Sequence, residues 1–197
     1  MAGRDLVVIG GSAGALEALT RLLECIPPMI EATLLVTIHR SAELPGAMPS
    51  VLARHGPIPA SFALDGEEFR RGHIYIAPPD HHLLVSGDRL RVTRGPREHG
   101  FRPAIDPLFR TAARERGPQV VGVLLSGALD DGVEGLALVK RHGGMAVVQD
   151  PDDAVHGGCR PARSRTWTST TSCPPRASGR CSPAWPMKTS SMVAGCT

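Results

Sequence analysis

The chain has 197 residues, 42% of them hydrophobic and 21% charged, with a formal net charge of +3. That length suits one domain with a sizeable core. No apolar run approaches the ~20 residues that span a bilayer, and Arg4 and Asp5 lead into only four apolar residues, so a spanning helix and a signal peptide are excluded and the expected compartment is the cytoplasm.

The charge is unevenly spread. Residues 1–154 hold all 19 acidic residues and 16 of the 22 basic ones, while 155–197 hold six basic residues and no acidic one. The basic balance therefore belongs to the tail, and no nucleic-acid partner follows from it.

In chain order, "LVVI" (6–9) reads as a short buried strand that runs into "GGSAG". A helix follows over 13–25, with Ala15, Leu16, Leu19, Leu22 and Leu23 on one face. "LLVTI" (34–38) and "IYIA" (74–77) are further buried strands. "HLLV" (82–85) and "LRVT" (90–93) flank a turn at 86–89 and predict a hairpin. Asp106-Pro107 reads as N-cap and first residue of a helix to Arg116, with Gly117 past its end. "VVGVLL" (120–125) is a strand, 132–141 a helix stopped by Gly143-Gly144, and "MAVVQ" (145–149) a last strand. Strands apolar throughout, alternating with helices, predict a three-layer, doubly wound, mostly parallel α/β sheet with helices on both faces (Rossmann-like), plus a β-hairpin.

In open α/β sheets ligands bind beyond the carboxyl ends of the strands. Three reactive residues follow strands there: Ser12, His39, and Asp130 or Asp131. Together they are the parts of a nucleophilic triad, in which histidine takes the serine proton and a carboxylate orients the histidine. Each also has an ordinary reading. Ser12, Asp130 and Asp131 are candidate helix N-caps, and His39 is a strand-end histidine. A phosphate-binding turn is a weaker rival, because "GGSAGA" lacks the G-x-G-x-x-G spacing and no Walker lysine follows. His81 and His82 are adjacent, so a strand points them to opposite faces and they make no joint metal site. His55, His99 and His142 read as surface or loop residues.

The ordered blocks "VVIGGSAGALEAL", "TIHR", "GHIYIAPPDHHLLV", "RPAIDPLFRTAA", "VGVLLSGALDDGVEGL" and "GGMAVVQDPDDA" resemble the catalytic domain of the chemotaxis protein-glutamate methylesterases (CheB type) over about residues 5–158. The resemblance implies hydrolysis of glutamate methyl esters on chemoreceptors with release of methanol, and in many members deamidation of receptor glutamines. It implies Ser12 as nucleophile, His39 as base and Asp131 as the orienting carboxylate, with oxyanion donors near the Ser12 turn and the 127–129 loop. It requires no metal or cofactor, and its partner is a methylated chemoreceptor or another methylated signalling protein, without membrane insertion. The blocks begin at residue 6, which resembles the type without a receiver domain. Two departures stand out: Ala15 where Gly is usual, and Leu129 for a Gly before the acidic pair. Arg102, in the "RPAID" block, is either a contact for an acidic receptor surface or, the reading favoured here, a structural residue. The alternative function is a catalytically impaired relative acting as a binding or signalling module.

The segment 159–197 breaks the family pattern. It holds four of the five cysteines and both tryptophans, has neither helical nor strand periodicity, and reads as an aberrant, disordered tail after a catalytic domain of residues 1–158. Its cysteines lack metal-ligand spacing. With G+C-rich codons chosen in back-translation, restoring one base after GG of the Gly158 codon gives a family-like Gly-Gly-Met-Pro turn, and the same shift can be read as family-like residues further on. The expectation is a frameshift, which DNA sequence around codon 158 tests.

Overall fold

The computed structural model describes residues 3–39, 47–125, 130–149 and 171–173. Their elements run β1 (Leu6–Gly11), α1 (Ala15–Glu24), β2 (Thr33–Ile38), α2 (Met48–His55), β3 (Ala60–Phe62), β4 (His73–Ile76), β5 (His82–Ser86) and β6 (Arg89–Thr93). They continue with α3 (Ile105–Arg116), β7 (Val120–Leu124), α4 (Val133–Arg141), β8 (Met145–Gln149) and β9 (Thr171–Cys173).

Seven strands form one sheet in the order β3-β4-β2-β1-β7-β8-β9, and every pairing in it is parallel. β5 and β6 make a separate antiparallel hairpin. β1 is central, and its residues alternate between two cores. Leu6 and Val8 face a cluster built from α3, α4 and the hairpin, including Leu83, Phe109 and Leu136. Val7 and Ile9 face a second cluster with Leu19, Leu23 and Leu52 of α1 and α2. Burial on both faces is why β1 and β7 read as unbroken apolar runs and β2 as one broken after its first residue only by the buried Thr37. The three-layer, doubly wound α/β reading therefore holds, and the sheet is wholly parallel among the described residues.

The chain winds from β1 toward β2 on one side and from β7 toward β8 on the other, so the strand order reverses beside β1. That reversal is where open α/β sheets place their binding crevice. Ser12, His39 and Asp131 all follow the ends of β1, β2 and β7 there.

Three elements lie outside the sequence expectation. α2 and β3 fill the stretch between β2 and β4. β9 pairs Thr171–Cys173 with β8, inside the segment read as a disordered tail. The open edge of β8 supplies the hydrogen-bonding partner that the β9 sequence pattern does not announce.

Candidate active site

Ser12 stands one residue past β1, half-buried. The helix after it opens on Gly14, whose φ of 80° is left-handed, and no side chain caps it. The Ser12 carbonyl oxygen, not its hydroxyl, accepts from Ala15 N–H at 3.0 Å. The N-cap reading of Ser12 therefore fails. A left-handed residue at the cap turns the chain sharply, and glycine adopts that conformation without penalty.

His39 stands one residue past β2. Parallel pairing sets Gly11 beside Ile38, and His39 N–H donates to the Gly11 carbonyl oxygen at 2.9 Å, so His39 adjoins the Ser12 turn. Its side chain is 4% exposed. Nε2 lies 2.7 Å from Asp131 Oδ2. Nδ1 is buried and has no hydrogen-bond partner. The Ser12 hydroxyl is therefore not bonded to the imidazole here. Catalytic hydrogen bonds are often long in unliganded enzymes and tighten with substrate.

Asp131 is fully engaged. Besides the imidazole, Oδ2 accepts from Ile105 N–H at 2.7 Å and Oδ1 from Asp106 N–H at 3.0 Å. Asp131 therefore caps the free N-terminal N–H groups of α3, a helix remote in sequence, while Gly132 (φ 97°) opens its own helix α4. Burial alone would raise its pKa, but the His39 hydrogen bond and the two backbone donors outweigh it, and the carboxyl sits below the usual range. An ionised Asp131 accepts hydrogen bonds only, which puts the imidazole proton on Nε2 and leaves the Nδ1 lone pair open. Asp130 is exposed, and its carbonyl oxygen accepts from Val133 N–H at 3.2 Å, so its side chain has no capping role in α4.

Asp106 is not the N-cap of α3; Ala104 holds that place and Asp106 lies in the first turn. Its Oδ1 accepts from Gly135 N–H of α4 at 2.7 Å. The two aspartates thus cap each other's helices. α3 comes this close because Gly10 of β1 has no side chain: a Cβ there would meet Ile105 Cγ2 at 2.2 Å. Burial, chiefly, and the neighbouring Asp131 charge push the Asp106 pKa up against the Gly135 hydrogen bond. His99 Nε2 is 3.1 Å from Asp106 Oδ2, close enough to pair but not aligned as a hydrogen bond. His99, Asp106 and Asp131 bring one donor atom each within 4.8 Å. A cation there would have to displace the imidazole or the helix N–H groups from Asp131.

Phe101, which sequence reasoning passed over, lies flat on the imidazole of His39, with ring centroids 3.8 Å apart and planes 5° apart. The Arg102 guanidinium is taken up by Asp80 Oδ1 and the Gly95 carbonyl oxygen, both at 2.8 Å, in keeping with the structural reading. His82 is buried and His81 half-exposed, with separate backbone partners. Leu129 and the 127–129 oxyanion loop lie outside the described residues, as does most of the segment 159–197 beyond β9. Among the described residues no helix is long and apolar enough to cross a membrane.

A family model described as CheB methylesterase matches residues 7–176. A Leptospira interrogans chain, provisionally named protein-glutamate methylesterase/protein-glutamine glutaminase, is 36% identical over 148 residues, covering 75% of this chain and 77% of its own length. An Anaeromyxobacter dehalogenans protein-glutamate methylesterase/protein-glutamine glutaminase is 42% identical over 147 residues, 74% of this chain and 43% of that one. The crystal structure of the Thermotoga maritima CheB methylesterase catalytic domain superposes with a TM-score of 0.76 at 28% identity, covering 80% of this chain and 85% of that chain.

Proposed function

We propose that this chain, which belongs to the CheB methylesterase family, hydrolyses methyl-glutamate esters on a methylated chemoreceptor with Ser12 as nucleophile, His39 as general base and Asp131 as the carboxylate that orients it. The catalytic unit is residues 1–158, working in the cytoplasm. The observation that carries the reading is the 2.7 Å His39–Asp131 pair beside the Ser12 turn, with Nδ1 left open.

In the first half-reaction Nδ1 takes the Ser12 proton as Oγ attacks the ester carbonyl carbon. The tetrahedral oxyanion collapses, the C–O bond to the methoxy group breaks, and the Nδ1 proton leaves on methanol. Water then attacks the glutamyl ester of Ser12, with Nδ1 again accepting a proton and returning it to Oγ. The Nε2 proton stays on the Asp131 hydrogen bond throughout. General-base help of this kind is worth about 10²–10⁴ in rate. Attack of the same serine on a side-chain amide, with ammonia as the leaving group, gives the deamidation that the relatives' names include.

The test is methanol release from a carboxyl-methylated chemoreceptor by the whole chain and by Ser12→Ala. Release by the parent that vanishes in Ser12→Ala supports the esterase. Release that persists unchanged in Ser12→Ala removes Ser12 from the reaction.

A further inference from the structure

The Asp131 hydrogen bond fixes one edge of the His39 ring, but a histidine's terminal torsion is broad, so one bond at one edge leaves the plane free to rock. The face of the ring is held by something else. Phe101 stacks on it at 3.8 Å and nearly parallel.

Phe101 is itself carried by a built feature. Glu98 and Phe101 exchange two backbone hydrogen bonds, of 3.1 and 2.8 Å, around His99 and Gly100. Both central residues have left-handed φ, 51° and 82°, the signs of the tight hairpin turn in which glycine is favoured. A non-glycine residue held in that region is uncommon and marks a turn that its surroundings impose. The Glu98 carboxylate then takes two hydrogen bonds from the Arg110 guanidinium of α3, at 2.8 and 2.9 Å, a bidentate pair. One helix therefore sets both constraints. Its first N–H groups hold Asp131, which holds the edge of the imidazole, and Arg110, a turn further on, clamps the turn that holds the face.

We propose that Phe101 is a positioning residue that acts through His39, keeping the imidazole plane aligned for proton transfer at Nδ1 and stabilising the imidazolium as it forms. The negative face of the benzene ring attracts the cation that His39 becomes when it takes the serine proton, an attraction present only after the proton has moved. That is help to the transition state rather than to substrate binding. The inference rests on the esterase reading above.

The test compares the whole chain with Phe101→Leu, Phe101→Tyr and Glu98→Gln. Phe101→Leu is expected to lower kcat about ten-fold with KM nearly unchanged. Phe101→Tyr, which keeps the ring, restores most of kcat. Glu98→Gln, whose side chain bonds Arg110 rather than the imidazole, loosens the clamp and gives a smaller loss; it also carries the test if Phe101→Leu fails to fold. The nuclear magnetic resonance signals of the His39 ring protons are shifted upfield by the stacked ring in the parent and in Phe101→Tyr, and lose that shift in Phe101→Leu. A folded Phe101→Leu with the parent's kcat overturns the role of Phe101 alone, as does a Phe101→Tyr no better than Phe101→Leu. A parent that neither releases methanol nor is labelled at Ser12 by a fluorophosphonate overturns the esterase reading, and the role of Phe101 with it.

Discussion

The entries into α1 and α4 are alike at the cap and opposite in occupancy. Each enters its helix through a glycine with left-handed φ, Gly14 at 80° and Gly132 at 97°, so neither cap residue has a side chain to cap the helix that follows. In the first, Ser12 is half-buried and its hydroxyl is not bonded to His39. In the second, Asp131 is buried and its two oxygens accept from three N–H groups. A left-handed glycine cap thus follows both a residue with no bond to the imidazole and one held by three donors. A nucleophile must travel toward a carbonyl carbon, whereas an orienting group works by staying put.

Asp131→Asn breaks the second turn's role most directly. Three donors converge on the carboxylate, and an amide offers one acceptor oxygen and an NH₂. At the Oδ1 place the NH₂ meets Asp106 N–H; at the Oδ2 place it meets Ile105 N–H and also the imidazole, which must move its proton to Nδ1 to accept from it. The second outcome disarms the base. Activity is expected to fall roughly 10³–10⁴-fold, and stability by about 1–3 kcal/mol for the stranded donor. Methanol release and urea unfolding measure the two. A kcat within ten-fold of the parent would show that Asp131 does not set the tautomer.

Gly135→Ala tests whether the close fit of α3 on α4 supports that rigidity. An added Cβ would lie 2.5 Å from Phe109 Cβ and 2.9 Å from Asp106 Oδ1. Relief of helix propensity alone would favour alanine by about 1 kcal/mol. Overpacking costs about 1–3 kcal/mol and is expected to win. Chemical denaturation should therefore show a less stable variant, and activity should fall with it, since the strained contact lies beside the aspartate handshake. A variant more stable than the parent would mean that the two helices have slack.

These tests separate what local sequence rules reach from what they do not. β2 and β7 are legible because burial on both faces keeps the run apolar, broken within β2 only by the buried Thr37. The sheet end at which Ser12, His39 and Asp131 gather follows from the parallel topology alone. α2, with only Met48 and Leu52 buried, and β3, three half-buried residues at the edge, leave too little pattern to read. Local rules misplace the caps at Asp106 and Asp131 for one reason. Local rules give each cap to the next helix along the chain, whereas Asp131 serves α3 and Asp106 serves α4 across the fold. Phe101 and His39 are 62 residues apart, and a ring stack between loops writes no periodicity at all.

The smallest expected effect comes from the other half of the handshake. Asp106 and Asp131 share a helix pair but titrate in opposite senses. The lowered pKa of Asp131 means that its contribution to stability is present above the unfolded value of 3.8 and is lost as pH falls through the lower folded value. The raised pKa of Asp106, set first by burial, means that the folded protein holds that proton more tightly than the unfolded chain does. Its charged form is then a penalty, present above the raised value and relieved as pH falls toward 3.8. Asp106→Asn removes the charge at every pH and keeps an oxygen for Gly135 N–H. It gives up the pairing with His99, whose side chain is 43% exposed, a loss worth little in solvent. The variant should be at least as stable as the parent at neutral pH, within about 1 kcal/mol, and its advantage should shrink as the pH is lowered toward 3.8. Urea unfolding at a series of pH values reads the difference. A variant less stable than the parent at neutral pH, with the deficit closing under acid, would mean that the Asp106 charge itself braces the helix pair, and the two carboxylates would then be alike.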